Sequence, residues 1–187
     1  MNNDRPIQIR VLALGNLMRT DDAAGMLALR RLAEDCRLPA GVELIEGGTL
    51  GLDLLHAVYG ATHLLVLDAV DTGAAPGTLV RLEGRELAKL PTSKSVHLLG
   101  LSDLINALRL MDAPPMEIVL LGVQPESTGW GTALTSAVEA SQPHLAELAL
   151  AQLGQWMENA RIVTTSAALG ARGTVDLPIN DPQPRIC

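Results

Sequence analysis

The stretch Ile7–Gly25, IQIRVLALGNLMRTDDAAG, limits what this chain can fold into more than any other. Ile7–Leu14 is aliphatic and β-branched with no polar face after Arg10, the pattern of a strand buried on both sides in a parallel sheet. Gly15-Asn16 breaks it, because both residue types tolerate the positive φ needed to leave a sheet sharply. Thr20-Asp21-Asp22 then reads as a cap with acidic first-turn residues, and Ala23–Glu34 as a helix. Two carboxylates thus sit just past the carboxyl end of the first strand, where open α/β sheets place their ligands. Capping needs one acceptor, and three are stacked here.

The same alternation continues. A short strand is predicted over Val42–Glu46, ended by Gly47-Gly48-Thr49, with Thr49 as N-cap of a helix over Leu50–Tyr59. His63–Ala69 is a second continuously apolar strand, interrupted near its end by Asp68. After the Pro76-Gly77 turn, Thr78–Glu83 alternates as an edge strand does and is expected to run antiparallel. Leu98–Met111 carries a broad apolar helical face, stopped by Pro114-Pro115. Glu117–Val123 is the fifth strand, and Thr135–Met157 the last long helix, broken or kinked by Pro143. Together these predict an α/β fold, a three-layer αβα sandwich around a five-stranded, mostly parallel twisted sheet. Residues 1–159 form a single domain in this reading, and 160–187, where periodicity fades and prolines gather, a flexible tail.

Composition narrows the function. Fourteen Lys and Arg against 21 Asp and Glu give a net charge of −7, which argues against a nucleic-acid surface. Two cysteines, Cys36 and Cys187, supply neither a disulfide framework nor a thiolate metal cluster. The first residues lack the apolar core of a signal peptide, and no apolar run is long enough to span a bilayer; a cytoplasmic protein with no membrane association is expected.

The chemistry-bearing residues are few. No Gly-x-Ser-x-Gly elbow is present, and the acidic first turn would repel a pyrophosphate. No organic cofactor is expected. What remains is a carboxylate–histidine set: Asp22 after the first strand, Asp68 at the end of the third, and His97 after the fourth. In a doubly wound sheet these ends line one edge, and two oxygens with an imidazole nitrogen suit a borderline divalent ion such as nickel or zinc. Each residue taken singly also fits a structural role, Asp as a turn cap and His as a hydrogen-bonded surface group. His56, His63 and His144 occupy no strand's carboxyl end and read as structural or solvated.

Four segments in order resemble the [NiFe]-hydrogenase maturation endopeptidases. They are Gly15-Asn16 with Asp21, Asp22 and Gly25; LLVLDAV, containing Asp68; HLLGLSDL, beginning at His97; and Gly122-Val123-Gln124-Pro125. Ala13 stands where that family has a glycine. Glu46-Gly47-Gly48-Thr49 resembles the family's Asp-Gly-Gly-Thr loop, associated with substrate choice, with Glu in place of Asp. The resemblance covers about Ile7 to Met157 and leaves the tail out. It implies a peptidase, aspartic or metal-dependent, that removes the C-terminal extension of a hydrogenase large-subunit precursor, acts as a monomer, and contacts the nickel carried by that substrate through Asp22, Asp68 and His97. Glu46, Gly47, Gly48 and Thr49 would bind the substrate. Two other readings stay open at this point: a nickel-binding accessory protein that does not cut, and a hydrolase like peptidyl-tRNA hydrolase, whose opening is also strand-Gly-Asn.

Overall fold

A computed structural model describes residues 6–84, 87, 96–114 and 116–170, excluding the side chains of 96–99 and 163–170. The strands are Ile9–Leu14 (β1), Glu43–Gly48 (β2), His63–Ala69 (β3), Leu79–Glu83 (β4) and Glu117–Val123 (β5). They form one five-stranded sheet in the order β2-β1-β3-β5-β4. β1 pairs in parallel with both β2 and β3, and β3 with β5. β4 runs antiparallel on the β5 edge, as its alternation predicted. The segment between β3 and β4 contains no helix and is shorter than the roughly dozen residues a parallel crossover needs.

Because successive side chains of a strand point to opposite faces, the continuous apolar runs fill two cores. Val11, Ala13, Leu65, Leu67, Val119 and Leu121 pack on Met26, Leu29 and Leu32 of Ala24–Glu34 (α1) and on Leu145, Leu153 and Trp156 of Ser136–Gly170 (α4). Leu12, Leu14, Leu64, Val66 and Leu120 face the other way. They meet Leu54, Val58 of the short helix Leu55–Val58 (α2), and Leu101, Leu104 and Leu108 of Val96–Leu110 (α3). The expected three layers are present.

The local expectations differ from the structure in several places, and β2 runs through Gly47-Gly48, which were expected to end it. Leu50–Tyr59 is not one α-helix: a 3₁₀ turn, Gly51–Leu54, precedes α2. Thr49 does not cap it, since Leu50 holds the N-cap position and no side chain bonds there. Thr20 likewise does not cap the first helix; its hydroxyl donates to the Ser127 carbonyl, because a neighbouring loop lies within its reach. Pro143 leaves α4 unbroken, and the helix runs past Met157 to Gly170, no glycine or proline intervening between those two residues. The loss of structure expected from Asn159 therefore does not occur there. Residues 171–187, the rest of the expected tail, lie outside the described residues.

Candidate active site

From β1 the chain moves outward to β2, then returns past β1 to β3, so strand order reverses between β1 and β3. Loops leaving two such strands part in opposite directions, which opens a crevice at their carboxyl ends. A cleft of about 680 Å³ lies there. Leu12 and Leu14 of β1 line it, Gly48 and Thr49 close it beside β2, and Gly100, Leu101 and Leu104 of α3 cover one side. The opposite wall is the loop after β5, from Gln124 to Thr128.

Two glycines let the backbone approach closely enough to build this edge. Gly15 adopts φ +125°, and a Cβ on it would stand 1.9 Å from the Asp22 carbonyl oxygen. A Cβ on Gly25 would lie 2.4 Å from the Leu67 carbonyl oxygen and 2.7 Å from that of Leu14, so α1 rests directly on β1 and β3. Asn16, by contrast, stays at negative φ, and Gly15 alone makes the turn.

The adjacent carboxylates Asp21 and Asp22 have different tasks. Asp21 is wholly buried. Its oxygens accept from the backbone N–H groups of Glu126 (2.8 Å), Ser127 (3.0 Å) and Thr135 (2.7 Å), and from the Thr135 hydroxyl (2.9 Å). It is the anchor of the cleft wall after β5. Asp22 lines the cleft, and its Oδ2 accepts from the Asn16 N–H at 2.9 Å. Helix capping describes neither residue, as no side chain caps the 3₁₀ turn Thr20–Ala23 that contains them.

Asp68 lies in β3 one residue before Ala69, which lines the cleft. It is wholly buried, and its Oδ1 accepts from the Ala69 N–H at 2.8 Å. Its register partner on β5 is Gly122, where a Cβ would press on Val70 Cγ2 at 2.7 Å. His97 is the second residue of α3, and its side chain lies outside the described residues. Position 97 falls three, four and seven residues before Gly100, Leu101 and Leu104, hence on the helical stripe that borders the cleft. Among the described residues, no group of three or more His, Cys, Asp and Glu side chains is arranged to hold a metal ion.

Of the segment Glu46–Thr49, Gly48 and Thr49 reach the cleft. Gly47 fits tightly, since its Cβ would lie 2.6 Å from Leu12 Cδ1. Glu46 points elsewhere and pairs with Arg30 on α1 at 3.1 Å, both side chains half-exposed. Among the lining residues without a role in the sequence reading are Arg19, Asp71 and Gln124. Arg19 donates to the Thr128 carbonyl at 3.0 Å and lies over the Trp130 ring, 5.2 Å from its centre. Asp71 and Gln124 each follow the carboxyl end of an apolar strand, β3 and β5, and that position was the available signal.

Known proteins resemble this chain over most of its length. A family profile, HycI: Hydrogenase maturation protease, matches residues 26–152. The hydrogenase 2 maturation protease of Escherichia coli is 40% identical over 149 residues, covering 79% of this chain and 91% of that protein. The hydrogenase expression/formation protein HupD of Rhodobacter capsulatus is 36% identical over 155 residues, 81% of this chain and 74% of its own length. Among solved structures, the hydrogenase maturating endopeptidase HybD from E. coli superposes with a TM-score of 0.75 at 38% identity, over 80% of this chain and 93% of the other. The [NiFe] hydrogenase maturation protease HybD from Thermococcus kodakarensis gives 0.66 at 28% identity, over 76% and 97%. With its αβα sheet, its cleft at the β1–β3 switch and this sequence identity, the chain belongs to the hydrogenase maturation protease family and is a peptidase.

Proposed function

We propose that this peptidase removes the C-terminal extension of a [NiFe]-hydrogenase large-subunit precursor after nickel insertion, using the precursor's nickel as its recognition handle. One observation carries the reading. In a member of the maturation protease family, Asp22 lines the switch-point cleft, Asp68 is buried one residue from its wall, and position 97 lies on the stripe bordering it. Two carboxylate oxygens and an imidazole suit a borderline ion such as nickel. The ligands would come from three separate elements, the 3₁₀ turn Thr20–Ala23, β3 and α3, and no described cysteine joins them, so affinity for free metal is expected to be weak. Nickel held by the precursor would complete its coordination with Asp22, Asp68 and His97 and bring the extension beside them. Nickel-free precursor lacks that bonding energy and is rejected.

Gly48 and Thr49, at the cleft beside β2, are placed in this reading to touch the substrate, and Glu46 and Gly47 to shape that segment. The enzyme acts as a monomer in the cytoplasm. The test is incubation with nickel-loaded and nickel-free precursor, followed by mass measurement of the product's C-terminus. Cutting of the loaded form alone is expected. If the peptidase soaked in free nickel or zinc also cuts the nickel-free precursor, the handle is wrong and a resident catalytic metal takes its place.

A further inference from the structure

The loop after β3 and the loop after β5 meet across the cleft through one side chain. Gln124 is buried, yet its surface borders the cleft. Its Oε1 accepts from the Thr72 N–H at 2.7 Å, the Thr72 hydroxyl at 3.1 Å and the Ala74 N–H at 3.3 Å. Its Nε2 donates to Asp71 Oδ1 at 3.0 Å and to the Pro125 carbonyl at 3.1 Å. The Gln124 backbone adds two bonds to the same loop, donating to the Thr78 carbonyl and accepting from the Gly77 N–H. Only an uncharged amide fits, since one end faces donors and the other end acceptors.

Asp71 is the part of this network that faces the cleft. It is exposed, and an exposed aspartate ordinarily samples several rotamers. Here the Gly73 N–H, at 3.0 Å, and Gln124 Nε2 both hold its Oδ1 and so fix the carboxylate's direction. Among the described lining residues, Asp22, Asp71 and Glu126 are acidic and Arg19 alone is basic, and Arg19 is already engaged with Thr128 and Trp130. Such a wall favours a chain segment that offers hydrogen-bond donors.

We propose that Gln124 is a positioning residue that holds Asp71 in the cleft wall, and that Asp71 accepts a hydrogen bond from the peptide segment being processed. The donor is a backbone N–H or a cationic side chain of that segment. This inference rests on the substrate reading above. It adds to Asp22, Asp68 and His97 a contact with the peptide itself.

The experiment compares D71N, Q124E and the double variant D71N/Q124E in the full chain, cutting nickel-loaded precursor. KM, kcat and melting temperature are read for each. D71N should raise KM about tenfold with little change in kcat, because uniform binding is lost. Q124E sets a carboxylate against Asp71 and the Pro125 carbonyl, and should raise KM and lower the melting temperature together. The double variant restores a donor–acceptor pair between the two positions with the charge on the wrong partner. It should recover part of the melting temperature, the Pro125 carbonyl and the Gly73 N–H staying mismatched, and keep the raised KM. Recovery of both would make the pair purely structural and overturn the proposal, as would a normal KM in D71N. Repeating D71N on a precursor whose basic residues near the scissile bond are replaced by glutamine separates the two donors: a cationic contact erases the KM difference, and a backbone contact preserves it. If the unmutated chain fails to cut the loaded precursor at all, the substrate reading fails, and that result is distinct from a normal KM in D71N.

Discussion

The two ends of the same sheet handle polar groups in opposite ways. At the amino end, Thr62, His63, Glu117 and Trp156 spend their polar atoms on one another and on Gln8. Trp156 Nε1 donates to Glu117 Oε1 at 2.7 Å, the His63 ring lies 4.9 Å from that of Trp156, and His63 Nδ1 is 2.8 Å from the Thr62 hydroxyl. The Thr62 hydroxyl in turn bridges the Gln8 backbone. At the carboxyl end the acceptors are carboxylates, their donors are largely backbone N–H groups of connecting loops, and the ensemble borders an open cleft. One end closes the fold; the other holds oxygen atoms at a surface. Of these two sets, only the one at the carboxyl end borders the cleft.

The comparison breaks first, and most widely, at the carboxyl end. Replacing Asp68 by Asn, Asp22 by Asn or His97 by Ala is expected to slow cleavage by at least about a hundredfold. Melting temperatures should change little, since Asn at position 22 or 68 keeps an oxygen to accept from the Asn16 or Ala69 N–H. Cooperative unfolding of these variants at assay temperature would make the three residues structural.

Asp21 sharpens the contrast, because it sits beside Asp22 and belongs to the structural set. Asp21→Ala removes the acceptor that the N–H groups of Glu126, Ser127 and Thr135 share. A loss of roughly 3 kcal/mol is expected, or about 6–12 °C in melting temperature for a chain of this size. Calorimetry checks it, and a D21A chain as stable as the parent would remove Asp21 from the wall's support.

Effects at the amino end are smaller and confined to stability. Trp156→Phe deletes one hydrogen bond to a carboxylate, and about 1–2 kcal/mol should be lost with cleavage unchanged. A fall in kcat for this variant would link the two ends of the sheet.

The smallest expected effect is a pH dependence centred on His63. Burial pushes its imidazole below the ordinary range, with the Glu117 carboxylate partly opposing. The unfolded chain therefore takes up the proton first, and stability declines as pH falls through about 6.5, the ordinary imidazole value, levelling off once the folded form is also protonated. His63→Gln should flatten the melting-temperature profile over that window. An unchanged profile would assign the slope to other groups.

Much of this organisation is legible in the sequence, for a physical reason. A strand buried on both faces must be apolar at every position, so His63–Ala69 and Glu117–Val123 announce their own limits and match the structure at both ends. Asp68 stands out because a charge inside such a run has no solvent to meet. Helix ends are less legible. Thr20 and Thr49 have capping chemistry, but whether a hydroxyl caps depends on which loop lies near it, and for Thr20 the Ser127 carbonyl decides. The division of labour between Asp21 and Asp22 is illegible for the same reason: Asp21's donors lie more than a hundred residues away in the chain. Gln124 was visible as part of a motif, but its bonds to the loop after β3 could not be read before the antiparallel pairing of β4 brought that loop alongside.

The position of β5 in the sheet bears on how a growing chain assembles. Among the described strands β4 pairs with β5 alone, so it leaves the ribosome before that neighbour exists. β5 also covers the outer edge of β3. A nascent chain ending at Leu110 can join β2, β1 and β3, yet the outer edge of β3 is still bare and β4 is an orphan strand. Such edges template pairing with other chains. Arrival of Glu117–Val123 removes both hazards in a single step, so the vulnerable interval of synthesis is the one spent translating α3, and slowing translation between Glu83 and Glu117 lengthens that exposure.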